Sequence, residues 1–259
     1  MAILENGICL MHCENLNSEI SSAVITNNGA TVSTDQHKFG SKSLYFNGNG
    51  NYVSIGIPSQ DNYTIEFWAY PTSDNTAGWF PTMVSSTANS NSGGTYIHLD
   101  DNSFSFYPVC RVNSSSSEGN YGGYGSTIIT RREWHHIAIC KSGDSHYFFL
   151  DGTLMHTVKQ SNPNTITAWY IGGLRGSSDM MGGCYYQGYI DEIAISSTCK
   201  WTSAFNVPTE AYSTSLTNKI YLGNSNIASV FLGNSAVNKI YLGDNLLYGE
   251  EEHSTNGQK

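Results

Sequence analysis

The sequence predicts an all-β protein: a two-sheet antiparallel jelly-roll sandwich followed by a short C-terminal β-repeat. Three observations carry this prediction. The composition is the first: of 259 residues 39% are hydrophobic but only 13% charged, with 26 Gly and 17 Tyr. Exposed helices normally carry Glu and Lys, and no segment shows sustained helical periodicity. The second is a recurrence of short strand-like runs separated by turn signals. The third is EWHHIAICKSGDSHYFFLDG, residues 133–152, which spells two strands joined by a polar turn and closed by Asp151-Gly152. Asp-Gly tolerates the positive φ of a tight hairpin turn. In its first strand Trp134, His136, Ala138 and Cys140 alternate with His135, Ile137 and Ile139, so both faces carry large residues and the strand belongs inside a layered structure.

The remaining elements follow in order. Residues 8–13 open the chain, and 43–46 and 52–55 flank the turn NGNGN. In YTIEFWAY, residues 63–70, Ile65, Phe67 and Ala69 share one face, while Thr64, Glu66, Trp68 and Tyr70 share the other. Further strands are expected at 95–99, 103–109, 127–130, 133–140, 146–150, 153–158, 166–171 and 186–196. Two Gly- and Ser-rich insertions, 112–126 and 172–183, interrupt the pattern as candidate binding loops.

The sandwich pattern ends near Pro208. A ten-residue repeat follows: NKIYLGNSNI (218–227), ASVFLGNSAV (228–237) and NKIYLGDNLL (238–247). Each unit reads as a short strand, a Gly-Asn or Gly-Asp turn, and a closing branched aliphatic. Three copies are fewer than the roughly 40 residues that usually fold alone, so they are expected to pack on the sandwich, on another subunit or on each other. The expected organisation is a jelly roll over 1–212, a docking or oligomerising repeat over 213–249, and a solvated tail over 250–259.

Charge narrows the function classes. The net charge is −9 with only 12 Lys plus Arg. A nucleic-acid binder needs a basic stripe to neutralise phosphates, and none is present. No apolar run reaches the roughly 18 residues that span a bilayer. The N-terminus lacks a basic n-region and a small-residue cleavage site, which points to folding in the cytosol or to a trimmed signal. Of the six cysteines, Cys9 and Cys13 would lie about 13 Å apart on one strand, too far for a disulfide. Buried thiols are the default, and a Cys184–Cys199 bridge is left open for an oxidising compartment. The sequons at Asn62 and Asn113 read as chance matches.

By this point the ordered pieces resemble a family. GICLMHCEN, ATVSTDQHKFGSKSLYFNGNGNYVSI, YTIEFWAYP, EWHHIAI, YFFLDG, YIGG, GYIDEIAIS and WTSAFNVPTEAY are similar to the laminin-G-like, concanavalin A-like jelly-roll group, in the type common among bacteriophage structural proteins and bacterial surface proteins. The resemblance spreads over most of residues 7–212. The repeat resembles the IYLGD-type C-terminal repeats of phage head and tail proteins. A phage origin would account for the missing signal, since virion proteins assemble in the host cytoplasm.

The resemblance implies a structural calcium tying the first strand to the last, through Glu14, Asp191 and Glu192. The family's usual Asp is Glu14 here. Calcium prefers several hard oxygen ligands, which two carboxylates plus carbonyls could supply. Zinc is disfavoured, because adjacent His135 and His136 point to opposite faces of a strand. Catalysis is disfavoured too. A glycosidase needs paired carboxylates flanking the scissile bond; Glu66 has no carboxylate two residues away, and no nucleophile or phosphate-binding motif occurs. Carbohydrate binding is the sharper expectation, since rings stack on sugar faces while polar groups bond hydroxyls. The candidates are Trp79, Tyr96, Tyr107, Tyr121, Tyr124 and Trp169, with Tyr121 and Tyr124 favoured for exposure.

The function expected is therefore a non-enzymatic virion protein, a capsid decoration, head fibre or tail component, whose jelly roll binds a glycan or cell-surface receptor. Its partners would be other virion proteins, the glycan or receptor, and further copies through residues 218–247. The alternatives are a purely structural decoration protein and a bacterial surface adhesin at the cell surface.

Overall fold

A computed structural model describes residues 2–72, 81–86, 94–99, 106–111, 120–121, 127–159, 165–173, 185–214, 230–232, 235–237, 240–242 and 245–248. The chain divides into two compact units, residues 1–216 and 217–259.

The described strands of the first unit are, in order, β1 (Ala2–Ile3), β2 (Gly7–Met11), β3 (Val24–Asn28), β4 (Thr31–Ser33), β5 (Ser43–Asn47), β6 (Tyr52–Gln60), β7 (Tyr63–Pro71), β8 (Thr82–Ser85) and β9 (Gly94–Leu99). β10 (Phe106–Arg111), β11 (Asn120–Tyr121), β12 (His135–Ser142), β13 (Ser145–Leu150), β14 (Thr153–Lys159), β15 (Ile166–Ile171), β16 (Gln187–Ser196) and β17 (Tyr212–Ser213) follow. Strands β2 to β16 form two antiparallel sheets. One runs β11-β10-β9-β8-β15-β6-β3; the other runs β14-β13-β12-β7-β16-β5-β4, with β2 also pairing β16. The predicted two-sheet sandwich is thus the observed one.

Alternation explains the core. Val53 and Ile55 of β6, Ile65 and Phe67 of β7, Ile137 and Ile139 of β12, and Trp169 and Ile171 of β15 are wholly buried in one cluster. They are every second residue of their strands, the period a sheet imposes on one face. The hairpin closing at Asp151-Gly152 has φ of 49° and 75° there, both positive as a primed turn requires. Strands β3, β4 and β8 are absent from the sequence prediction. β3 and β4 lie at sheet edges, and their VITNN and TVS carry one half-buried face at most. Residues 127–130, expected as a strand, make only an isolated bridge position.

In the second unit, β18 (Val230–Leu232) pairs with β19 (Ser235–Val237), and β20 (Ile240–Leu242) with β21 (Asn245–Tyr248). One antiparallel pair thus falls in the second repeat and the other in the third, with Tyr248 one residue beyond it. The first repeat, 218–227, lies outside the described residues.

Candidate functional site

The outer face of the eight-stranded sheet carries a buried polar network. Glu66 on β7 sits opposite Ala138 of β12 and Ala194 of β16, two small neighbours that leave room for a long carboxylate. Its side chain is 1% exposed. His136 Nε2 lies 3.1 Å from its Oε2, Lys200 Nζ donates to Oε1 at 2.6 Å, and the Tyr212 hydroxyl donates to Oε2 at 2.9 Å. Lys200 also donates to the Tyr212 oxygen at 2.9 Å. Burial alone would raise the Glu66 carboxyl, but the His136 hydrogen bond and the Lys200 ammonium outweigh it and hold it below the ordinary carboxylate range.

Residues 197–213 cover this face. Trp201 and Phe205 stack on each other at 3.6 Å, and Phe205 meets the ring edges of Phe149 and His136. The Phe205 N–H bonds the Gly152 carbonyl, and a Cβ on Gly152 would collide with that same Phe205 carbonyl region. β17 then pairs with β1 in parallel.

A bulge in β16 adds a second cluster. The register slips between Asp191 and Ala194, and Glu192 takes φ of 50°. Strict alternation would send adjacent residues to opposite faces; a bulge breaks that parity. Asp191 pairs with Trp68 on the outer face, and Glu192 reaches the Tyr212 N–H there at 3.2 Å. His12 bridges two carboxylates, with Nδ1 2.5 Å from Glu192 and Nε2 3.1 Å from Glu19. The Glu192 hydrogen bond raises His12 above its ordinary value. A cleft of about 370 Å³ opens beside it, lined by His12, Glu14, Ser41, Glu192 and Tyr212 among others.

The three residues expected to hold calcium are each engaged elsewhere. Asp191 accepts from the Lys38, Phe39 and Glu192 N–H groups at 2.8–3.1 Å. Burial nevertheless pushes its carboxyl up to about 7, with the Glu192 charge adding to the rise. Glu14 accepts from the N–H groups of Ser41 and Lys42 and from the Ser41 hydroxyl. Glu192 turns to His12 and Tyr212. These carboxylates face three separate sets of donors, and no His, Cys, Asp or Glu group among the described residues converges as a metal site. Through these bonds they stitch the end of β2, the 38–42 turn and β16 together, with Glu14 and Glu192 lining one cleft.

His135 and His136 separate as the pleat requires. His135 bridges Asp151 at 2.7 Å and Thr130 at 2.8 Å, while His136 faces Glu66. The Thr130 hydroxyl donates to Glu133 at 2.7 Å, so this line of side chains clamps the turn before β12.

The aromatic candidates divide. Trp169 is corrected: it is wholly buried in the core, edge-on to Tyr63 at 5.2 Å. Tyr96 is also corrected as an exposed platform, being 3% exposed and packed beside His98 at 5.1 Å. Tyr107 and Tyr121 pair by backbone with His98 and Val109. Trp79 and Tyr124 lie outside the described residues.

What the sequence reading missed is Tyr170. Register alone draws a row across the outer face of the seven-stranded sheet. Thr26 pairs with Ser54, Ser54 with Tyr170, Tyr170 with Ser85, and Ser85 with Tyr96. The row continues by backbone pairing through Val109 to Tyr121. Thr26 and Asn28 are exposed, Ser54 and Tyr170 half-buried, and Tyr52 lies 6.2 Å from Tyr170, ring to ring. The signal was available: with Trp169 and Ile171 apolar and inward, Tyr170 must face out.

A model of a protein family matches residues 47–201, well over half of the chain: Laminin_G_3, described as the concanavalin A-like lectin/glucanases superfamily. The chain belongs to this family. No curated protein matches the chain. Among solved structures, this Laminin_G_3 domain is similar to domain 4 of AbnA, an extracellular arabinanase of Geobacillus stearothermophilus, in complex with arabinotriose. The identity is 17%, the TM-score 0.52, and 75% of this chain and 92% of that one are covered. It is also similar to botulinum neurotoxin type C, which interacts with two ganglioside molecules (14%, TM-score 0.54, 76% of this chain and 49% of that one). A binding domain of botulinum neurotoxin DC in complex with SialylT gives 15% and 0.53, over 76% and 49%. The chain spans about half the length of these neurotoxin domains, and at such identities the likeness is one of fold.

Proposed function

We propose that this chain is a non-enzymatic binding protein whose seven-stranded sheet presents the outer row Thr26, Ser54 and Tyr170, with Asn28 beside it, to a glycan or glycan-bearing receptor. The observation that carries the reading is this row: an aromatic ring, half open, flanked by hydroxyl and amide side chains on rigid strands. That is the mix of apolar platform and placed polar groups that holds a sugar. Membership in a lectin-containing superfamily supports it, as do an arabinotriose complex and a ganglioside-interacting toxin on the same fold. The buried carboxylates argue against glycoside hydrolysis. Glu66 is held ionised by its partners, and Asp191, whose carboxyl is raised, is wholly buried with its oxygens taken by backbone N–H groups, whereas the general acid of a glycosidase needs both a raised pKa and access to the substrate.

On this proposal the protein is a virion component, with residues 213–249 docking it to the particle or to further copies. The repeat hairpins and the sequence resemblance support that part. A glycan array probed with the unmodified chain and with Tyr170→Ala tests the binding reading. The expected result is selective binding that weakens about ten-fold in the variant, a loss of ~1.4 kcal/mol. Absence of any glycan binding, alongside tight association with a capsid or tail protein, would favour a purely structural decoration role.

A further inference from the structure

The outer face of the eight-stranded sheet holds two thiols that the binding function does not use. Cys140 lies on β12, wholly buried beside Ala138 and Phe149, and Cys199 packs against that same cluster from the covering segment. The Cys199 thiol donates to the Trp201 carbonyl at 3.3 Å. Thr64 fixes the approach of the two thiols: its hydroxyl donates to the Thr198 carbonyl at 2.8 Å and accepts the Lys200 N–H at 2.9 Å, with Cys140 Sγ 3.4 Å from the same oxygen. Residues on both sides of Cys199 are thus pinned to the strand position opposite Cys140. Cys199 is half-buried and lines a cleft of about 360 Å³ with Ile3, Glu5, Thr198, Lys200 and Trp201. One thiol is therefore reachable from solvent and the other is not.

We infer that Cys140 and Cys199 form a redox-sensitive staple, closed by exchange with a small-molecule disulfide, that locks residues 197–213 over the Glu66 network. The Cys199 thiolate attacks one sulfur of the disulfide RSSR, forming a Cys199–S–S–R bond and releasing RS⁻. Cys140 then loses its proton and attacks Cys199 Sγ, forming the internal disulfide and releasing the second RS⁻. The protein dithiol is oxidised, RSSR is reduced to two RSH, and the two protein protons end on those thiols. Reactivity is divided as exchange requires. The neighbouring Cys140 thiol holds Cys199 below the ordinary thiol value, so its thiolate is the more available of the two, while burial pushes Cys140 up.

The test is to incubate the folded full chain with oxidised glutathione, block remaining thiols with an alkylating agent, and map peptides without reduction. A Cys140–Cys199 linked peptide is expected, with the melting temperature raised by roughly 5–15 °C because a long loop is closed in the unfolded chain. In Cys140→Ser the second step has no nucleophile, so a glutathione adduct should persist on Cys199. The staple is refuted if unmodified chain retains a stable glutathione adduct on Cys199, or if Cys199 stays reduced when the guanidinium-unfolded chain oxidises. Mapping of the unmodified chain decides the matter even where Cys140→Ser does not fold.

Discussion

The two sheets show opposite outer faces. That of the eight-stranded sheet is sealed: Trp201, Phe205 and Tyr212 lie over it, and its charged groups are spent on each other. That of the seven-stranded sheet is half open along the Thr26–Ser54–Tyr170 row and carries hydroxyls and rings rather than charges. Buried charged groups are held by partners, so the Glu66 side chain on the covered face is bound to protein donors rather than open to a ligand. Neutral rings and hydroxyls tolerate water, so the other face can wait uncovered for one. On the proposed function, the contrast divides stability and recognition between the two sheets.

The contrast is best broken from the sealed side. Glu66→Ala leaves the Lys200 ammonium without its counter-charge and His136 and Tyr212 without their hydrogen-bond partner, and a loss of ~3–5 kcal/mol in urea unfolding is expected. Replacing Glu66, His136 and Lys200 together by apolar residues of similar volume should recover most of that loss; failure to recover would show that the network does more than satisfy itself. A second substitution pair divides neighbours on one strand. Trp169→Ala should cost ~3–5 kcal/mol through its core cavity, whereas Tyr170→Ala should cost under about 1 kcal/mol yet weaken glycan binding. Equal destabilisation by the two would mean that Tyr170 is packing.

Smaller effects come from titration. His12 is raised by its Glu192 hydrogen bond, so its contribution is complete below its ordinary value of 6.5 and is lost as pH rises through the folded value. Asp191 has the same sign: its contribution is present below 3.8 and lost as pH rises through about 7. These two groups therefore give urea midpoints a component that falls between pH 5 and pH 8, opposed below 6.5 by His146, which burial holds down at about 4, and His12→Gln should remove part of the falling component. A slope unchanged in His12→Gln would remove His12 from the account. The smallest effect concerns calcium: melting curves with calcium and with a chelator should coincide, since Glu14, Asp191 and Glu192 already have protein donors.

Much of the sandwich was legible in the residues. Alternation in YTIEFWAY and HHIAIC follows from two-fold pleating, and Asp151-Gly152 announces its own turn. The edge strands β3 and β4 were not legible, because residues with no inner face to fill carry no periodic signal. The site divided along the same line. Tyr170 was readable from the parity of its neighbours and was passed over for Trp169, the larger ring. The Glu66 network was not readable, since its partners lie 70 and 134 positions away in sequence.

By itself, then, the chain determined its strands, its turns and which residues fill the core, because these depend on neighbours two positions apart. Only the tertiary structure decided which outer face is covered, where β16 bulges to gather Asp191 with Glu192, and that Cys140 meets Cys199. Those outcomes depend on pairing across the sheets and on one segment folding back over one of them. Such long-range closures leave no local pattern in the order of the residues.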